Sequence, residues 1–152
     1  MIIQEMNDTL REQIRDFRGA IVVSRGRVHA LDQLPGYAAC VADEIKGLIM
    51  YNLQDDECEI VSLDSKLEGQ GIGSQLIDAV VRRAQKSNCS RVWLITSNDN
   101  IKAIRFYQKR GFDLKAVHPH AITEARKVKP SIPFIGFDGI PIRHEIEFEY
   151  RL

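Results

Sequence analysis

Two rhythms of apolar and polar residues run along the chain, and each predicts a different kind of element. Residues 9–17 set Leu10, Ile14 and Phe17 on one face, which predicts a helix that Asn7 or Asp8 can cap. Residues 20–24 form a strand-type apolar run, whereas residues 25–36 mix turn formers with short apolar pieces and predict a loop with room for a short strand. Three extended runs follow, at residues 37–42, 48–53 and 58–63, joined by the short polar stretches 43–47 and 54–57. Connections of that length predict an antiparallel meander. The rhythm then changes: Ile72, Leu76, Ile77, Val80 and Ala84 recur at helical spacing with charges opposite them. Residues 91–96 predict another strand, and residues 100–110 another helix that stops at Gly111. In the last third, residues 112–117 suit a strand, 121–127 a short helix and 130–141 a loop rich in Pro and Gly. Residues 143–150 alternate Glu145, Glu147 and Glu149 with Ile146, Phe148 and Tyr150, the period of a half-exposed strand.

The order of elements is that of an α/β (α+β) chain, and no repeat or linker divides its 152 residues, so residues 1–152 are expected to form a single domain. Lys and Arg number 21, as do Asp and Glu, giving a formal net charge of zero. Such a chain has no general field to gather nucleic acid or anionic lipid, so neither is expected as a partner, and any anionic ligand must be held by local groups. Cys40, Cys58 and Cys89 are odd in number and lack a metal-binding spacing, and they read as reduced, buried thiols. The amino-terminal residues carry Glu5 and Asp8 where a signal peptide has positive charge, and no apolar run reaches spanning length. The expected location is the cytoplasm, as a monomer or homodimer.

The most informative stretch is a strand followed by Gly69, Gln70, Gly71, Ile72, Gly73 and Ser74 and then an amphipathic helix. Glycines permit positive φ and close backbone approach, and the first N–H groups of a helix suit phosphate oxygens. Taken alone, the turn is equally a tight connection. It lacks the Gly-Lys-Ser/Thr ending of a nucleoside-triphosphate loop, and its G-x-G-x-G spacing follows a meander in place of the parallel unit that carries a dinucleotide fingerprint.

The pattern resembles the acyl-CoA signature of the GNAT superfamily of N-acetyltransferases, a Gln/Arg-x-x-Gly-x-Gly/Ala turn followed by Asn-x-x-Ala-x-x-x-Tyr-x-x-x-Gly-Phe. Gly71 and Gly73 match the first motif, and Asn100, Ala103, Tyr107, Gly111 and Phe112 complete the second. One departure is Glu68, a carboxylate at the Gln/Arg position, which shifts phosphate affinity toward backbone N–H groups and the helix dipole. The resemblance implies a GNAT fold: a mixed, mainly antiparallel sheet flanked by helices, splayed between the strands at residues 58–63 and 91–96. It also implies acetyl-CoA as cosubstrate, with pyrophosphate on the amides of residues 69–74 and pantetheine on the strand backbone of Ile60, Val61, Ser62 and Leu63. Asn100 and Ala103 complete the implied cofactor-binding set with Tyr107.

For the reaction, the resemblance implies transfer of acetyl to a primary amine by direct attack in a ternary complex, with Tyr107 protonating the departing thiolate and Glu59 or a water accepting the amine proton. Tyr107 is otherwise a core aromatic, Asn100 a helix cap, and Glu59 a member of the acidic hairpin with Asp55, Asp56 and Glu57. His29, His118, His120 and His144 read as loop histidines, and no metal site is expected. Arg25, His29, Arg126 and Lys127 are placed to contact an acidic substrate group or a CoA phosphate in one reading, with solvated surface charge as the favoured one. No cysteine sits in a nucleophile arrangement, so no acyl-cysteine intermediate is expected. A catalytically inactive acyl-CoA-binding or sensing module is the alternative, and the amine acceptor is not specified by any motif.

Overall fold

The computed structural model describes residues 1–14, 19–66 and 69–152. The elements are β1 (Ile2–Glu5), α1 (Asp8–Gln13), β2 (Ile21–Ser24), β3 (Arg27–Ala30), β4 (Gly36–Val41), β5 (Glu44–Gln54), β6 (Glu57–Ser65), α2 (Ile72–Lys86), β7 (Arg91–Ser97), α3 (Ile101–Lys109), β8 (Asp113–His118), α4 (Ala121–Val128) and β9 (Glu145–Arg151). The class is α+β: seven strands belong to one mainly antiparallel sheet, and β2 and β3 form a two-stranded ribbon. The chain divides into two compact units, one of Met1–Val22, His29–Val92 and Leu152, the other of Val23–Val28 and Trp93–Arg151.

In the first unit the strand order is β1-β4-β5-β6, antiparallel throughout. The expected meander is β4-β5-β6, and β5 and β6 run longer than their apolar stretches because hairpin pairing continues into the polar turns, to Gln54↔Glu57. β1 was not expected. Its four residues are mostly exposed, so side-chain pattern carries no signal, and the ladder from Ile2↔Cys40 to Glu5↔Tyr37 holds it. α1 is shorter than the expected 9–17 helix; Asn7 caps it by accepting from the Leu10 N–H at 2.8 Å, and residues 15–17 of that expectation lie outside the described residues.

Helix α2 buries the predicted stripe Ile72, Leu76, Ile77, Val80 and Ala84, and Ala79 besides. Each large aliphatic side chain buried this way contributes about 1.5–3 kcal/mol. The helix can lie close to the sheet because β5 has a glycine beneath it. A Cβ on Gly47 would stand 2.6 Å from Ile72 Cγ2, 3.1 Å from Leu76 Cδ1 and 3.2 Å from the Asp64 carbonyl oxygen.

In the second unit the order is β7-β9-β8, with β8 and β9 antiparallel. α3 ends at Gly111 with φ 87, the left-handed residue expected there. β9 differs from its expected half-exposed character: Glu145, Glu147 and Glu149 are buried, as are Ile146 and Phe148. Period-two alternation reports which residues share a face, and here both faces are covered. Gly47→Ala is expected to lower stability by about 1–3 kcal/mol through overpacking alone, read as a lower urea midpoint with unchanged m.

Candidate active site

The glycine turn is built as its composition requires. Gly69 and Gly71 have φ of 77° and 74°, and Gly71 occupies the N-cap of α2 without offering a side-chain cap. Among the described residues, no atom beyond the chain neighbours lies within 4 Å of a Cβ placed on either glycine, so the requirement is conformational. The first intrahelical bond of α2 runs from Gln75 N–H to the Gly71 carbonyl at 3.1 Å. Gly69 and Gln70 are exposed, whereas Ile72 turns its side chain into the core, so Ile72 can serve a ligand only through its backbone. Glu68, the departure from the family pattern, lies outside the described residues.

Strand β6 carries Ile60, Val61, Ser62 and Leu63. Its register against β5 passes from Tyr51↔Ile60 to Met50↔Ser62, leaving Val61 as an extra residue, a bulge in the middle of the expected pantetheine segment. Bulges bend a strand and re-aim its groups. Glu59, just before it, is only 3% exposed and faces Asn52 across the ladder. Its Oε1 lies 3.3 Å from Nε2 of His29, itself buried on β3 and not in a loop as expected. The other acidic residues of the hairpin sit elsewhere: Asp55 and Asp56 are exposed at the turn with φ of 53° and 60°, and Glu57 pairs with Arg91 at 3.1 Å. Burial pushes the Cys58 thiol up to about 12, and Cys89 and Glu59 add to the shift. A thiol so held is not a nucleophile at neutral pH.

In the second unit, Asn100 caps α3, its Oδ1 accepting the Ala103 N–H at 3.2 Å. Tyr107, two turns along, is 8% exposed. Its ring packs edge-on to Phe106 and Phe112 at 5.2 and 5.5 Å and tilts over Phe148 at 6.1 Å. Three of the histidines fall here. His118 ends β8 with Nε2 2.9 Å from Glu147, and the His120 N–H donates to His144 Nδ1 at 2.8 Å.

A sequence model of the Acetyltransferase (GNAT) family matches residues 5–112, which hold both the Gly71 turn and the Asn100–Tyr107 helix. The chain belongs to this family. It is 42% identical over 97% of its length to the uncharacterized protein YdhI of Bacillus subtilis (strain 168), covering 96% of that protein. Two solved structures show the same fold. A Bacillus subtilis acetyltransferase in complex with CoA superposes with TM-score 0.72 at 21% identity, over 99% of both chains. A GNAT family acetyltransferase from Elizabethkingia anophelis with acetyl-CoA bound gives TM-score 0.73 at 20% identity, over 99% of this chain and 97% of that one. The protein is thus a GNAT-type N-acetyltransferase, and the seven-stranded α+β architecture is the GNAT fold expected from the two motifs.

Several residues of this GNAT chain have roles that their sequence positions did not disclose. Asn98 accepts the N–H groups of Arg143 and His144 at 2.9 and 3.0 Å and donates to the Pro141 carbonyl at 2.9 Å. Asp99, buried, accepts from the Ser97 hydroxyl and from the Phe137 N–H at 3.1 Å. Gly136 presses against it, since a Cβ there would meet Asp99 Oδ2 at 1.9 Å. Arg126 is not solvated charge: it donates to the carbonyls of Ile132 at 3.2 Å, Pro133 at 2.7 Å and Ile142. Adjacent Asn98-Asp99-Asn100 was the available signal, three short hydrogen-bonding side chains at a strand-to-helix turn.

The raised pKa of the thiol has a stability consequence. Because the folded pKa of Cys58 exceeds the unfolded one, the native state holds its proton longer, and stability falls as pH climbs from about 9 toward 12, by at most about 1.4 kcal/mol per pH unit. Tyr51 on β5 is likewise pushed up to about 12, chiefly by burial. Urea titrations of Cys58→Ala at pH 8, 9.5 and 10.5 are expected to show a shallower alkaline loss than wild type, with the Tyr51 part remaining.

Proposed function

We propose that this protein transfers the acetyl group of acetyl-CoA directly to a primary amine of a small molecule or of a peptide or protein, in a ternary complex. The observation that carries the reading is left-handed Gly71 at the head of α2, in a chain whose family match spans both motifs. Residues Gly69, Gln70, Gly71, Ile72, Gly73 and Ser74 receive the pyrophosphate through backbone amides at the positive end of α2. Backbone of Ile60, Val61, Ser62 and Leu63 pairs with pantetheine, and the bulge at Val61 supports this by breaking the regular pleat there. Asn100 and Ala103 complete the cofactor contacts.

The amine nitrogen attacks the thioester carbon, and the C–S bond breaks as the amide forms. Glu59 or a water it orients takes the proton from the nitrogen, and the Tyr107 hydroxyl gives one to the thiolate. Burial of Glu59 with its Oε1 3.3 Å from His29 Nε2 supports a proton-handling role, since it sets a carboxylate against an imidazole, a pair through which a proton can pass. Packing of the Tyr107 ring between Phe106, Phe112 and Phe148 supports a fixed hydroxyl, which proton transfer needs. No helix among the described residues is long and apolar enough to cross a membrane. With three free, buried cysteines, the reading places the enzyme in the reducing cytoplasm, acting without nucleic acid.

The reaction is tested by mixing the protein with acetyl-CoA and a panel of amines and measuring released thiol. Tyr107→Phe is expected to lower kcat about a hundredfold with little change in acetyl-CoA affinity. Glu59→Gln should flatten the rise of kcat/KM with pH. A kcat for Tyr107→Phe equal to wild type, with chemistry rate-limiting, removes the proton-donor role. Tight acetyl-CoA binding without acetylation of any amine would turn the reading to a sensing module.

A further inference from the structure

The first unit buries a carboxylate and an imidazole against each other: Glu59 of β6 is 3% exposed, His29 of β3 is 8% exposed, and Oε1 stands 3.3 Å from Nε2. The same pieces of chain also meet through apolar side chains. Val61 of β6 clusters with Leu34 and Met50, and Val22 and Leu31, on either side of β3 in sequence, pack against that cluster. Adhesion is thus supplied by apolar contact. A buried ion pair adds little stability that apolar side chains of the same volume would not, so this pair calls for another use.

The other charged groups on these strands are engaged or distant. Glu57, two residues before Glu59 on β6, is bound to Arg91 at 3.1 Å. Across the ladder Glu59 faces Asn52 and Glu57 faces Gln54, both neutral, and Glu44 and Lys46 pair with each other at the other end of β5. Cys58 and Tyr51 alternate onto the opposite face and hold their protons to about 12. Strand β2 has no titratable side chain, and β3 adds only Arg27. His29 is therefore the group on these strands placed to exchange a proton with Glu59. Arg27 and Val28, which precede it on β3, are exposed, so the strand that carries the imidazole borders water.

An alkylamine arrives as an ammonium, and its nitrogen sheds two protons on the way to the amide, one before attack and one after. A lone carboxylate holds one at a time. We propose that His29 is a positioning residue that acts through Glu59 as the second station for these protons. Glu59 takes the first from the ammonium, Oε1 passes it to Nε2 of neutral His29, and the regenerated carboxylate takes the next from the nitrogen of the adduct. The imidazolium returns to neutral by giving a proton to water, and the protonated Glu59 then empties by the same route. Two protons pass to water and one returns from water to Tyr107, which has protonated the CoA thiolate, so the net release is one. The proposal rests on the acetyl-transfer reading for the source of the protons, and on the structure for the pair.

The pair is tested without an acceptor. Ring signals of isotope-labelled histidine are followed by NMR through a pH titration of the full chain, with the four histidines replaced one at a time for assignment. Glu59→Gln is expected to lower the His29 midpoint by about one pH unit or more, because the imidazolium loses the carboxylate beside it. An unchanged midpoint overturns the proposal. The relay is tested by thiol release from acetyl-CoA with butylamine and benzylamine, which arrive as ammonium ions, and with their weakly basic aminooxy isosteres O-propylhydroxylamine and O-phenylhydroxylamine, which arrive neutral. His29→Gln is expected to lower kcat/KM for the alkylamines about tenfold or more near neutral pH, with the loss shrinking as pH rises, and to affect the isosteres much less. A merely structural role would depress all four alike at every pH. Equal loss for both kinds of amine, or no loss for the alkylamines, overturns the relay. Acetyl-CoA affinity and near-ultraviolet circular dichroism report whether His29→Gln is folded; if it is not, the Glu59→Gln titration decides, since it leaves the imidazole in place. Acetylation with uncoupled titration overturns the relay and leaves acetyl transfer standing. Coupled titration without acetylation of any amine overturns the transfer reading, and the relay with it.

Discussion

The close approach of α2 to the meander is the constraint on which the cofactor turn depends. A glycine in β5 removes the side chain that would hold the helix away, so Ile72 and Leu76 settle directly on the strand. That contact fixes the first turn of α2, and with it the direction in which the amides after Gly71 point. Burial of Ile72 and the left-handed conformation of Gly71 thus serve one end: an apolar anchor on one side of the backbone and an open donor array on the other. In the proposed function, phosphate binding by a chain with zero formal charge is therefore a matter of backbone orientation, secured by packing.

The second unit solves a different problem, that of ordering a Pro- and Gly-rich stretch without regular structure. Asn98 and Asp99 satisfy backbone N–H groups at residues 137, 143 and 144, and Arg126 satisfies carbonyls at 132, 133 and 142. Donors and acceptors are divided between the strand-to-helix turn and α4, and these side chains add to the stretch's own backbone bonds, from Ile142 N–H to the Phe134 carbonyl and from Gly136 N–H to the Ile140 carbonyl, both at 2.9 Å.

Much of the fold was legible because its signals are local. The stripe Leu76, Ile77, Val80 and Ala84 identifies α2, short polar connections identify the meander, and Gly111 marks the end of α3. β1 escaped because a mostly exposed four-residue strand is specified by its partner β4 and not by its own pattern. The carboxylates of β9 were misread for a related reason: alternation distinguishes two faces but not whether a second layer covers the polar one. In the candidate site, glycine turns and the Asn100–Tyr107 spacing were readable as a motif. The partners of Glu59 and Glu145 were not, because His29 and Arg25 come from distant sequence and their pairing is created by folding.

The segment between α4 and β9 joins fixed feet to a free tip. Gly136 cannot accept a side chain without displacing Asp99, and the Phe134 ring lies under the Arg126 guanidinium at 4.5 Å, whereas Ile135 and Phe137 stand exposed around them. Substitutions at Ile135 and Phe137 therefore alter what the surface beside α4 presents while leaving the side chains of Asp99 and Arg126 that shape the segment in place. Selection on recognition and selection on stability act here on different residues, which makes the segment a place where a new preference can arise in small steps from a folded parent.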